Sequence, residues 1–158
     1  QDQARQLAIK AIKAMGGICV FGVEMFVTND DALLINEISP RSHNSGHYTR
    51  EACQASQFDQ QLRILTGRPL ADMSQHSPAV MFNLLGEPGF SGDPLLEDSC
   101  SDAEKQGVYV HLYGKKLCFP GRKMGHVTVL GESVDSALSR AITIKEKITI
   151  RGASPSEQ

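Results

Sequence analysis

Two glutamates, Glu24 and Glu37, flank a short polar turn, and the second runs directly into a loop crowded with hydrogen-bonding groups: Ser39-Pro40-Arg41-Ser42-His43-Asn44-Ser45-Gly46-His47-Tyr48-Thr49. Carboxylates that meet across paired strands repel unless something positive lies between them. A divalent cation answers that need. Oxygen-only ligands from short β-segments suit magnesium, which keeps coordination sites for water and for nucleotide phosphates. The alternative stays open on the glutamates alone: both could point to solvent from an exposed sheet face, because a change of turn length changes the register. The loop after Glu37 adds an arginine and several donors and acceptors beside the proposed cation, and polar loops of this kind more often carry function.

The elements that must place these groups follow from hydrophobic spacing. Leu7, Ile9, Ala11, Ile12, Ala14 and Met15 predict an amphipathic helix over 2–15, stopped by Gly16-Gly17. Residues 18–27 and 33–38 are rich in β-formers and predict a hairpin turning tightly at Asp30-Asp31. In that register Glu24 faces Glu37, Met25 faces Asn36 and Val27 faces Leu34. Glu24, Phe26, Ile35 and Glu37 then share one face, with Val23, Met25, Val27, Leu34 and Ile38 on the other. Ala52, Ala55, Phe58, Leu62 and Leu65 predict a second helix over 50–66, ended by Gly67 and Pro69.

Further on, 79–85 reads as a strand, 86–105 as a connecting loop with a short helix near 94–97, and 108–113, 116–119 and 123–130 as three short strands. A helix follows over 133–148 with Ser133 as its N-cap, and 151–158 reads as a tail. The expected fold is α+β, an antiparallel sheet backed by helices, with a small C-terminal β-rich unit. Its divisions are 1–85, a connecting region 86–105, 106–150 and the tail.

Composition removes several functions. With 41% hydrophobic and 22% charged residues the chain is ordinary for a globular domain, and its net charge of −2 comes from scattered mixed signs, so neither nucleic acid nor an anionic membrane surface is an expected partner. Cys19, Cys53, Cys100 and Cys118 form no CxxC pair and sit mostly in apolar segments, which favours buried thiols in a reducing, cytoplasmic setting over a disulfide framework or a zinc site. No stretch approaches the ~18 apolar residues of a membrane span, and no charged-then-apolar leader opens the sequence. The start inside a helical pattern suggests that further sequence precedes it.

Val-Glu-Met-Phe (23–26), Asn-Glu-Ile-Ser-Pro-Arg (36–41) and His-Asn-Ser-Gly-His-Tyr-Thr (43–49) together resemble the core of the ATP-grasp superfamily. The first two strings fit several of its carboxylate ligases. His-Asn-Ser-Gly-His combined with Pro-Gly-Arg-Lys-Met-Gly-His (120–126) is similar to one branch, the carboxyaminoimidazole ribonucleotide synthases. Ser56-Gln57-Phe58, Gly67-Arg68-Pro69-Leu70 and His111-Leu112-Tyr113-Gly114-Lys115 extend the likeness over most of 1–148.

The resemblance implies the second lobe of an ATP-grasp fold and an ATP-dependent carboxylation of aminoimidazole ribonucleotide by bicarbonate, through carboxyphosphate. It implies that Glu24 and Glu37 hold Mg2+ (or Mn2+), that Asn36 and Glu37 belong to the nucleotide-cofactor site, and that Arg41 grips the γ-phosphate or carboxyphosphate through its planar fork. It further implies that His43, Asn44 and Ser45 contact the ribonucleotide, and that Lys115 and Arg122, with Lys123 beside them, hold its 5′-phosphate. A homodimeric parent is implied as well. His47 remains open between a substrate contact and a loop-holding histidine, and His76, His111 and His126 read as structural. The family's glycine-rich lid, phosphate lysines and adenine hinge are not recognisable here, so this chain by itself is expected to be inactive. Another ATP-grasp carboxylate–amine ligase, or a non-catalytic binding domain on the same fold, are the competing readings.

Overall fold

A computed structural model describes residues 2–155. The chain forms two compact units, residues 1–74 and 75–158, here called the first and second lobes. The division falls before the strand at 79–85 rather than after it, which corrects the expected boundary: that strand pairs only with elements of the second lobe.

The first lobe holds helix α1 (Asp2–Met15), the antiparallel hairpin β1 (Gly22–Val27) and β2 (Leu33–Ser39), a single 3-10 turn at Asn44–Gly46, and helices α2 (Thr49–Ala52) and α3 (Gln57–Leu65). The hairpin does not turn on two residues. Thr28 and Ala32 close a three-residue loop whose last member, Asp31, takes φ 62°, and the Thr28 hydroxyl donates to Asp30 at 2.6 Å. That hydrogen bond holds the Asp30 carboxyl below the usual carboxylate range.

The odd loop slips the outer pairs by one residue, so Val27 faces Leu33 and Met25 faces Ile35, not the partners expected. A bulge at Asn36 then takes up the extra residue, and Glu24 pairs with Glu37 as expected. The faces change accordingly: Leu34 joins the side of Phe26 and Ile35 that of Met25. β1 also starts later than the β-forming run, at Gly22.

The single helix expected over 50–66 is two. Cys53 is extended, and Ser56 caps α3 through a reciprocal box with Asp59, a start signal that the apolar spacing overrides when read alone. Ser56 also keeps the Asp59 carboxyl below its usual range.

The second lobe contains β3 (Ala79–Leu85), β4 (Phe90–Asp98), α4 (Asp102–Lys105), β5 (Val108–Leu112), β6 (Lys123–Leu130), α5 (Val134–Lys147) and β7 (Ile148–Pro155). A three-stranded antiparallel sheet runs β3-β6-β5, and β4 pairs with β7. Its core gathers Leu84, Cys118, Met124, Val127, Val129, Ala141, Ile144, Ile148 and Ile150. Ser133 caps α5 as expected, and Ala137, Ala141 and Ile144 form its buried stripe.

Three expectations fail here for identifiable reasons. Residues 86–105 are not a loop, and 94–97 is not helical: β4 has a single partner strand, and its Pro94 sits at a register shift, where a missing N–H costs the ladder little. The expected tail is strand through Pro155, anchored by buried Ile148 and Ile150; its last residues, 156–158, lie outside the described part. Residues 116–119 form no strand, and only Cys118 bridges, to Gly92.

Candidate metal and substrate site

Glu24 and Glu37 point the same way from the paired register, and the imidazole of His43 lies between them. Its Nε2 is 3.5 Å from Glu24 Oε1 and 3.9 Å from Glu37 Oε1. The Ser45 N–H approaches His43 Nδ1 at 3.4 Å and the Ser45 hydroxyl lies 2.9 Å from it, so the hydrogen-bond network assigns the ring proton to Nε2, facing the carboxylates. The bulge gives Asn36 its place: its amide donates to Glu24 Oε2 at 3.2 Å. Ser39, buried at the end of β2, donates to Glu37 Oε1 at 2.5 Å. Both carboxylates therefore approach one imidazole nitrogen, from side chains that are about half exposed.

Two carboxylates and an amide oxygen are the donor set that magnesium takes, with water and phosphate completing its shell. Among the described residues no cluster of three or more His, Cys, Asp and Glu is arranged as a metal cage. The set fits an ion shared with a nucleotide rather than one locked in protein.

Arg41 is exposed on the same loop, its main chain turned by a 2.9 Å bond from its N–H to the Ser39 carbonyl and its Nη1 donating to the Ser42 carbonyl at 2.9 Å. Asn44 opens the 3-10 turn and Ser45 lies within it. His43 packs against Gly22, where a Cβ would come within 2.5 Å of the His43 Cβ. His47 turns toward α3: its Nδ1 is 2.8 Å from Gln57 Nε2, and its ring stacks on Phe58 at 5.4 Å. Of the two roles open to it, this geometry is that of a histidine holding the loop.

In the second lobe, Lys115 Nζ donates to the Lys123 carbonyl at 2.5 Å and lies 5.6 Å from the centre of the Tyr113 ring. Arg122 donates to the Leu117 carbonyl at 2.7 Å and stacks over Phe119 at 5.0 Å. Of the three expected cations, Lys115 and Arg122 lie in the connection between β5 and β6, and Lys123 opens β6. His126, expected to be structural, is held by its neighbours: Tyr113 Oη lies 2.9 Å from its Nδ1, and the ring of His111 packs on it at 4.7 Å. Burial pushes the Tyr113 phenol up, so it stays protonated at neutral pH. His76 meets Ser77 at 3.1 Å. The sequence reading missed Gln57 and Tyr113; Gln57 had a signal in the Ser56-x-x-Asp59 box, which puts it in the first turn of a capped helix.

Residues 1–58 match the model of the ATP-grasp domain. Residues 79–140 match that of the phosphoribosylaminoimidazole carboxylase C-terminal domain. The glutamate pair and the arginine loop lie within the stretch that matches the ATP-grasp domain. A structure of the N5-carboxyaminoimidazole ribonucleotide synthetase from Thermotoga maritima superposes with a TM-score of 0.87 at 43% identity, over 96% of this chain and 42% of that one. The N5-carboxyaminoimidazole synthase from Aspergillus clavatus, in complex with ADP and 5-aminoimidazole ribonucleotide, superposes with a TM-score of 0.76 at 36% identity, over 92% of this chain and 39% of that one. The N5-carboxyaminoimidazole ribonucleotide synthase of Brucella melitensis is 45% identical over 127 residues, which is 80% of this chain and 33% of the relative. The chain is similar to carboxyaminoimidazole ribonucleotide synthases over most of its own length, and spans about a quarter to a third of the length of the curated relatives it matches.

Proposed function

We propose that this chain supplies the metal-binding and acceptor-binding parts of a ligase that carboxylates 5-aminoimidazole ribonucleotide with bicarbonate and ATP, for purine biosynthesis. The observation that carries the reading is the convergence of Glu24 and Glu37 on one point beside the arginine loop. Bicarbonate oxygen takes the γ-phosphoryl group of ATP, giving carboxyphosphate and ADP. The exocyclic amine of the ribonucleotide then takes the carboxyl group, releasing phosphate and a proton. Magnesium held by Glu24 and Glu37, with Asn36 beside them, would offset the charge on the nucleotide phosphates.

The chain's own residues do the rest. Arg41, exposed on the loop, grips the oxyanion that passes between the two steps. His43, Asn44 and Ser45 present mixed donors and acceptors to the ribonucleotide. In the second lobe, taken by itself, Lys115 and Arg122, with Lys123, are the groups suited to a 5′-phosphate, and Tyr113 lies under the Lys115 ammonium. The ATP clamp is assigned to the part of the fold that the relatives carry beyond the matched stretch. A homodimeric, cytoplasmic parent belongs to the same proposal; among the described residues, no helix is long and apolar enough to cross a membrane.

Glu37→Gln in the complete ligase tests it. The magnesium-supported carboxylation rate is expected to fall on the order of 100-fold or more, since even partners that only orient metal ligands cost 10–100-fold when removed. Full activity in that variant would end the reading.

A further inference from the structure

Gln57 is buried at 5% exposure in the first turn of α3, where long polar side chains are rarely enclosed. Every hydrogen-bonding group of its amide is used. Oε1 accepts the His43 N–H at 2.9 Å, and Nε2 donates to the His43 carbonyl at 2.8 Å and reaches His47 Nδ1 at 2.8 Å. One side chain thus grips both main-chain groups of a single residue and the ring at the far end of the same turn. A reversed amide would set oxygen against the His43 carbonyl, so the bonds also fix its orientation.

The surroundings are cut to this clasp. A Cβ on Gly46 would stand 2.5 Å from Gln57 Oε1. The Gln57 N–H donates to the buried Thr49 hydroxyl at 3.0 Å, which donates onward to the Gly46 carbonyl at 2.6 Å. The peptides on both sides of His43 are pinned, Gly22 packs against its Cβ and Cγ, and its imidazole lies near Glu24 and Glu37.

We infer that Gln57 is a positioning residue for the acceptor loop: through the main chain of His43 and the ring of His47 it sets the shape of residues 43–47, and with it the affinity for the ribonucleotide. The inference rests on the proposed role of His43, Asn44 and Ser45. It does not make Gln57 a contact of ATP, so its removal separates the two substrates.

The test is steady-state kinetics of the complete ligase carrying Gln57→Met, which keeps length and bulk and removes every bond, and Gly46→Ala, which displaces the amide without removing it. In both, KM for aminoimidazole ribonucleotide is expected to rise roughly 10- to 100-fold, the effect of leaving buried donors and acceptors unpaired, while KM for ATP changes less than about threefold. Gln57→Glu keeps an acceptor for the His43 N–H but sets its second oxygen against the His43 carbonyl, and should raise that KM at least as far as Gln57→Met. Gly46→Ala, which leaves every polar group in place, keeps the test open if Gln57→Met does not fold. An unchanged ribonucleotide KM, or an ATP KM that rises equally, overturns the inference. His43→Ala, run alongside, tells the failures apart. If it raises the ribonucleotide KM while the Gln57 and Gly46 variants do not, only the positioning role is wrong; if it too has no effect, the reading of the loop as a substrate site has failed.

Discussion

In the second lobe, α5 turns Ala137, Ala141 and Ile144 onto strands whose Val127, Val129, Ile148 and Ile150 are almost fully enclosed, whereas in the first lobe α3 turns Gln57 and Gln60 inward and leaves Phe58, Leu62 and Leu65 42%, 61% and 73% exposed. The glutamines of α3 act as fasteners. Gln57 holds the 43–47 loop, Gln60 pairs with both main-chain groups of Ala71, and Gln61 accepts from the Val20 N–H at 3.1 Å. The buried apolar residues of the first lobe are small, Ala52, Cys53 and Ala55, and α1 buries none. One lobe is thus ordered by apolar burial, which is tolerant of direction, and the other by directional polar bonds around the proposed chemistry. A polar scaffold places loop atoms closely but depends on each partner being present.

The sharpest way to break that comparison is to cut the same kind of side chain in each lobe. Ile148→Ala, at a residue 1% exposed in the second core, is expected to cost about 2–5 kcal/mol in chemical denaturation. Leu62→Ala, on the open face of α3, should stay within about 0.5 kcal/mol. Equal costs would mean that the exposed face of α3 carries as much stability as the second core.

A smaller effect sharpens the polar half. Ser56→Ala removes the N-cap of α3 and its bonds to Asp59, at 2.6 Å from hydroxyl to carboxylate. A loss of about 1 kcal/mol is expected, concentrated in the hydrogen-exchange protection of the α3 amides and of the loop that Gln57 holds. Protection unchanged in the loop would show that it does not depend on α3.

This contrast also separates what was legible in the sequence from what was not. The glutamate pair was readable because alternation and a short turn confine it, and it survived an error: the three-residue turn and the bulge at Asn36 cancel, so Glu24 meets Glu37 although the outer pairs shift. The second core followed from ordinary spacing in β3, β6 and α5. The orientation of α3 did not. Its apolar stripe predicts Phe58, Leu62 and Leu65 inward, and only the capping box hints at a helix set by polar contacts. β4 was hidden because Gly92, Asp93 and Pro94 carry loop chemistry into a strand whose Pro94 lies at a register shift. His126 could not be paired from sequence, since its partner Tyr113 arrives through the turn between β5 and β6.

The smallest expected effect lies on the rim of the second lobe, where charge rather than packing contributes. Lys147, at the end of α5, donates to Glu104 in α4, and Ser101 donates to the same carboxylate, which lowers the Glu104 pKa from 4.5 to about 2. A carboxyl whose folded pKa lies below its unfolded value stabilises above the unfolded pKa and loses that contribution as pH falls through the folded one. The window here runs from about 4.5 down to about 2. Lys147, raised by the same partner, contributes below its unfolded pKa and loses that share only in strong alkali. Because the pair is partly exposed, solvent and salt screen it, and the effect should be modest. Thermal unfolding followed from pH 5 to pH 2 should therefore show Glu104→Gln slightly less stable than wild type at the upper end, with the two curves converging toward the lower. A gap that persists at pH 2 would assign the loss to packing at the α4–α5 contact instead of charge, and would extend the apolar order of the second lobe to its edge.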